Sequence, residues 1–101
     1  MQSNKKDKPY FVIVHDASIK PDHPAYEEIQ RIRKEEDFSE AGYNPRDVPA
    51  GIPKDRKILV CGTYYGYCVT LQLNALKYLG YNASIYEKAT VGYHSEKSLI
   101  K

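Results

Sequence analysis

Tryptophan is absent from this chain, and cysteine occurs only twice, at Cys61 and Cys68. No apolar run approaches the roughly 20 residues a membrane-spanning helix needs, so no membrane partner is expected. The net charge of +2 is small, and the lysines and arginines are interleaved with acids. That excludes the basic footprint of a nucleic-acid binder. The polar first eight residues have no apolar h-region behind them, so no signal peptide is expected. A cytoplasmic, reducing location follows, with both thiols free; a disulfide between them is the alternative.

What is present fits one small soluble domain. The chain has 101 residues, 42% hydrophobic and 28% charged, enough for a modest core. Residues 1–9 read as a flexible arm and 10–101 as a single α/β domain. The aromatic content is carried by ten tyrosines against two phenylalanines. Three of them, Tyr64, Tyr65 and Tyr67, crowd one short segment. A tyrosine has an apolar body and a polar tip, which suits either a pocket wall or the anchoring of a small core.

Tyr10 to Val14 is a continuous β-branched and aromatic run, the pattern of a buried, parallel strand. His15 to Ser18 and the prolines at 21 and 24 end it in a loop. Ala25 to Lys34 reads either as a short helix after Pro24 or as helix running into strand near Ile32. From Glu35 to Arg56, Pro45, Pro49 and Pro53 with Gly42 and Gly51 point to a long ordered loop. Loops of that length in a small domain are often functional. Lys57 to Cys61 is a second buried strand, and Gly62 to Tyr67 a turn. Cys68 to Leu79 has the three- and four-residue apolar spacing of a helix, stopped by Gly80. Ala83 to Tyr86 is a third strand. Residues 57–86 thus form one βαβ unit, which implies a parallel sheet.

Ligands of open α/β sheets bind beyond the carboxyl ends of the strands. Cys68 falls there, in the first turn of a helix. The free N–H groups and positive dipole end of a helix N-terminus favour thiolate and can hold an oxyanion. Cys68 is therefore either a nucleophile or a small buried hydrophobe facing the sheet. Cys61, ending an apolar strand, reads as a core thiol.

Gly62-Thr63-Tyr64-Tyr65-Gly66-Tyr67-Cys68-Val69, after the apolar Ile58-Leu59-Val60, resembles the Gly-x-Ala-Thr-Asp-x-Cys-Val segment of the isochorismatase-like cysteine hydrolases, nicotinamidases among them. The glycine stands six residues before the cysteine in both. Leu73-Asn74-Ala75-Leu76 is similar to that family's Leu-Asp-Ala-Leu, and Gly80-Tyr81 to its helix stop. Ile85 to Gly92 is similar to its Val-Val-Glu-Asp-Ala-Cys-x-Gly. Tyr64 and Tyr65 replace small residues and Gly66 replaces Asp, which implies a bulkier, less acidic pocket wall.

The resemblance implies a parallel-sheet, three-layer isochorismatase-like fold, reduced in size. It also implies hydrolysis of a small amide or related C–N bond, with Cys68 attacking the carbonyl. Backbone N–H groups of Tyr64 and Cys68 would hold the oxyanion, with unusual peptide geometry just before Tyr64; Tyr64, Tyr65 and Tyr67 would line the pocket. Ile32-Arg33-Lys34 and Tyr43 resemble the segment that carries the family's catalytic lysine, so that role carries over to Lys34; otherwise Lys34 is a solvated lysine in a charge run. The family's first-strand aspartate has no match except Asp16, the substitute proton acceptor. His15 to Tyr26 is more similar to the family's second strand, where metal ligands sit. By that likeness Asp16 and His23 become candidate ligands for a divalent metal, while the core mechanism requires no cofactor. His94 to Lys101 would begin the family's last helix. The resemblance spans the middle and later part of a longer domain, which leaves sheet edges and apolar faces open and implies a homo-oligomer.

Two other readings stand beside the hydrolase. A truncated relative can keep the pocket and lose the chemistry, serving as a ligand-binding or protein-interaction module. Ile52 to Cys61 also resembles a rhodanese-like sulfurtransferase strand, with Cys61 as nucleophile, but Thr63 to Tyr67 lacks the arginine or lysine that would cradle an anion.

Overall fold

Alternation along Tyr10–Val14, strand β1, organises the whole core. In the computed structural model, which describes residues 7–92, Phe11 and Ile13 point to one face of the sheet and Val12 and Val14 to the other. A single 3-10 turn, Asp16–Ser18, follows. Helix α1 spans Pro24–Glu35. Proline at its first position is pre-set for helix, and the His23 Nδ1 accepts the Ala25 N–H at 3.0 Å as the cap. Ala25, Ile29 and Ile32 recur at helical spacing and bury against Phe11, Ile13 and Cys61. Ile32 thus belongs to the helix rather than to a strand.

Strand β2, Phe38–Glu40, comes next and pairs in parallel with β1. It interrupts the expected loop of residues 35–56. The signal for it is weak because it is three residues long, on the sheet edge, and only Phe38 is apolar. The rest of that segment is an ordered loop, as expected. Ile52 is buried, and its carbonyl accepts from the Tyr81 hydroxyl at 3.1 Å. Gln72 Nε2 donates to the carbonyls of Pro45 and Asp47, at 2.8 and 3.0 Å.

Strand β3, Ile58–Thr63, helix α2, Cys68–Tyr78, and strand β4, Ala83–Val91, complete the fold. The order across the sheet is β2-β1-β3-β4, all parallel. α1 covers one face, and α2 covers the other through Val69 and Leu76 against Val12, Val14 and Val60. Each fully buried Val, Ile or Leu of these clusters contributes roughly 1.5–3 kcal/mol. Gly80, at φ 93°, ends α2 in the left-handed conformation that a residue with a Cβ adopts at a cost.

β4 continues well past Tyr86. Ile85 pairs with Val60 and Thr90 with Gly62, so residues 86–89 bulge opposite Cys61 alone. The Thr90 hydroxyl closes the bulge by donating to the Tyr86 carbonyl at 2.7 Å.

Of the expected N-terminal arm, residues 1–6 lie outside the described residues, as does the expected last helix from His94. Lys8 and Pro9 are fixed, because the buried Arg56 donates to both carbonyls and to Asp37. Among the described residues no helix is long and apolar enough to cross a membrane.

Candidate functional site

The carboxyl ends of β1, β3 and β4 meet at one edge of the sheet, and the segment between β3 and α2 lies across that edge. β3 leaves through Gly62, at φ 116°, where a Cβ would overlap the Val14 carbonyl oxygen. Only glycine fits there. Thr63 is buried, and its hydroxyl donates to the His15 carbonyl at 2.6 Å, tying the ends of β3 and β1 together. The Thr63–Tyr64 peptide bond is cis.

The next residues are fixed by backbone bonds. The Tyr65 N–H donates to the Val91 carbonyl at 2.8 Å, and the Tyr65 carbonyl accepts from the Thr70 hydroxyl. The Tyr64 carbonyl accepts from the N–H groups of Tyr67 and Val69, at 2.9 and 3.2 Å. Gly92, at the end of β4, lies directly against the Tyr65 backbone. The loop is therefore held from β4 on one side and from α2 on the other.

Cys68 opens α2, half-buried and unpaired with Cys61. Among the described residues no side chain caps this helix N-terminus, and no acidic residue stands in its first turn. The N–H groups of Tyr64 and Cys68 donate to no described residue. A half-buried thiol thus stands at a positive helix end, an arrangement that can take a developing oxyanion. Tyr64 and Tyr67 are exposed, at 44% and 55%, and Tyr65 is half-buried.

Cys61 has a different environment. It is wholly buried inside β3, with Sγ 3.8 Å from the Val12 carbonyl, and burial pushes its thiol up to about 12. A thiol held protonated is a core residue, as its sequence context suggests, and not the nucleophile a sulfurtransferase would require.

The charged residues are not gathered at Cys68. Asp16 lies at the right edge, just after the strand that pairs with β3, but both its carboxylate oxygens are 3.0 Å from an Arg33 nitrogen of α1. Lys34 faces solvent on α1, turned away from Ala25, Ile29 and Ile32. α1 and α2 cover opposite faces, so the sheet separates Lys34 from Cys68. Ile32-Arg33-Lys34 lies in the last turns of α1.

For a metal, His23 already spends its Nδ1 lone pair on the α1 cap, and Asp16 is held by Arg33. Among the described residues no three His, Cys, Asp or Glu side chains cluster as ligands. Arg33 and Gln72 were not singled out by the sequence. Nothing in the sequence marks Arg33 as the partner of Asp16 and Glu40. Gln72 did carry a signal, as a polar residue on the apolar stripe between Val69 and Leu76.

Comparison with family models, with curated proteins and with solved structures finds no match to this chain.

Proposed function

We propose that this chain carries the nucleophile of a cysteine-dependent hydrolase of the isochorismatase-like, nicotinamidase-type kind, cleaving a small amide or related C–N bond. The observation that carries the reading is the half-buried Cys68 at the N-terminus of α2, where the N–H groups of Tyr64 and Cys68 donate to no described residue. In such a reaction the Cys68 sulfur forms a bond to the amide carbonyl carbon, and the carbonyl electron pair moves to oxygen. The two N–H groups stabilise that oxyanion. Collapse breaks the C–N bond, and the proton given up by the Cys68 thiol ends on the departing amine. Water then attacks the thioester, giving a carboxylic acid and restoring the thiol.

The reading does not use Lys34. Asp16 is the only acid proposed for proton transfer, and it reaches that role only when released from Arg33. A divalent metal at Asp16 and His23 has no third ligand among the described residues. The resemblance extends the proposal to a reduced three-layer fold with helices on both faces of the parallel sheet.

One observation favours the second reading, a binding or interaction module without chemistry: neither Asp16 nor Lys34 is turned to Cys68. The two readings separate in one experiment. A panel of small primary amides is incubated with wild type and Cys68→Ser, with ammonia release and thioester mass on the Cys68 peptide as readouts. The hydrolase reading expects turnover that Cys68→Ser abolishes, and a trapped acyl group on Cys68. Turnover that survives Cys68→Ser, or amides that bind and are never cleaved, would sink it.

A further inference from the structure

α2 carries more apolar surface than the sheet can use. Its first stripe, through Val69 and Leu76, is buried. Leu71, Ala75, Tyr78 and Leu79 form a second stripe at four- and three-residue spacing, on the side turned from the sheet. This second stripe lines an open groove of about 650 Å³, whose other wall is the loop bearing Arg46 and Asp47. Tyr78 is 89% exposed and Leu79 48%. A surface helix needs one apolar stripe; a second, left in water, is a surface to be covered.

The rim of the groove indicates what covers it. Arg46 and Asp47 are adjacent and exposed, and neither side chain is ion-paired with a described residue. Their loop is nevertheless fixed. Gln72 grips the carbonyls of Pro45 and Asp47, and the Asn44 side chain accepts the Arg46 N–H at 3.0 Å. Two opposite charges side by side on a rigid rim are self-complementary about a two-fold axis. Rotation sets each Arg46 against the partner's Asp47, twice per pair of chains.

We propose that this chain forms a two-fold symmetric dimer through this groove, with the α2 helices packed antiparallel and Arg46 paired with the partner's Asp47 on both sides. The proposal names the surface for self-association and stands independently of the chemistry at Cys68.

The test is sedimentation equilibrium of the full chain, with circular dichroism on each variant to show that it is folded. Wild type is expected at twice the chain mass. Arg46→Asp and Asp47→Arg each place like charges across the axis twice, and each alone is expected to weaken association about tenfold or more. An equimolar mixture of the two variants restores opposite charges at both contacts and is expected to recover the dimer. A rescue on mixing cannot come from misfolded chains. A wild type that stays monomeric throughout, a dimer indifferent to both reversals, or a mixture no tighter than its components would overturn the proposal.

Discussion

Gly92 lies against the backbone of Tyr65 with no space for a Cβ between them. The contact joins the end of β4 to the loop that presents Cys68, and the Tyr65–Val91 hydrogen bond of 2.8 Å runs beside it. The position of the Cys68 helix start is thus set by a residue 24 positions later in the sequence, across a sheet register that jumps at Cys61.

Gly92→Ala should therefore act as an overpacking substitution at a backbone contact. Such changes cost about 1–3 kcal/mol. The loop would also shift, so the alkylation rate at Cys68 should change relative to wild type. Urea unfolding and timed alkylation read the two effects; a variant unchanged in both would mean that close packing beneath Tyr65 does not hold the loop.

The two cysteines should differ sharply in reactivity. Cys61 is buried with its thiol raised to about 12, whereas Cys68 is partly open at the helix start. Iodoacetamide on folded protein at mildly alkaline pH should label the Cys68 peptide and spare the Cys61 peptide, with both labelled in denaturant. Equal labelling of the two in the folded state would contradict the burial of β3.

The strands and the second helix were legible because their signals are local. The run Tyr10–Val14 and the run at Ile58–Val60 are apolar on both faces, as a doubly covered parallel strand must be. The stripe from Val69 to Leu76 ends at a glycine whose φ explains it. β2 was not legible, because three residues with one Phe carry no periodicity. The extension of β4 to Val91 was hidden by Glu87 and Lys88, which sit in a bulge and so break the alternation. In the site, Gly62 and Gly92 were singled out by resemblance and prove to be places where a Cβ has no room. Lys34 was singled out the same way and lies on the solvent side of α1, because a short motif match carries no information on which face of the sheet its segment covers. The Arg33–Asp16 pair was invisible, since it joins residues 17 apart through tertiary contact alone.

Lys34 and its neighbour should behave differently on truncation. Lys34 faces solvent, so Lys34→Ala should leave stability within about 0.5 kcal/mol of wild type and Cys68 alkylation unaltered. Arg33 pairs with Asp16 and Glu40 and lies 5.5 Å over the Phe38 ring. Its removal should cost about 1–2 kcal/mol through lost charged hydrogen bonds. Alkylation of Cys68 slowed by Lys34→Ala would place that lysine at the thiol after all, and would argue against the separation of α1 from α2 by the sheet.

Gln72 is wholly buried, and its Oε1 accepts no hydrogen bond from a described residue while its Nε2 makes two. The amide therefore fastens the loop at Pro45 and Asp47 to α2. Gln72→Met keeps the volume and deletes both donors, leaving two carbonyls to find water. A loss of about 1–3 kcal/mol is expected, with faster protease nicking between residues 41 and 56. If nicking is unchanged while stability falls, the amide supports the core and not the loop.

Glu28 and Tyr86 give stability a pH dependence at both ends. The Glu28 carboxylate is 8% exposed; it lies 2.7 Å from an Arg31 nitrogen and accepts from the Tyr86 hydroxyl at 2.7 Å. The Arg31 hydrogen bond holds Glu28 below the usual carboxylate range, against its own burial and with help from Tyr86. A lowered value in the folded state adds stability that is full above the unfolded value of about 4.3, and that is lost as pH falls through the folded one. Tyr86 is shifted the other way, first by burial and then by the Glu28 hydrogen bond. A raised value adds stability that is full below the unfolded value of about 10, and that is lost as pH rises through the folded one. Urea midpoints measured across pH should therefore fall off in acid and again in strong alkali. Glu28→Gln should flatten the acid limb, because the group that binds the extra proton on unfolding is gone. Tyr86→Phe should flatten the alkaline limb by the same logic with the sign reversed. If both variants keep the wild-type slopes, the contact between α1 and β4 does not depend on the charge state of this pair, and the docking of α1 rests on its apolar face of Ala25, Ile29 and Ile32.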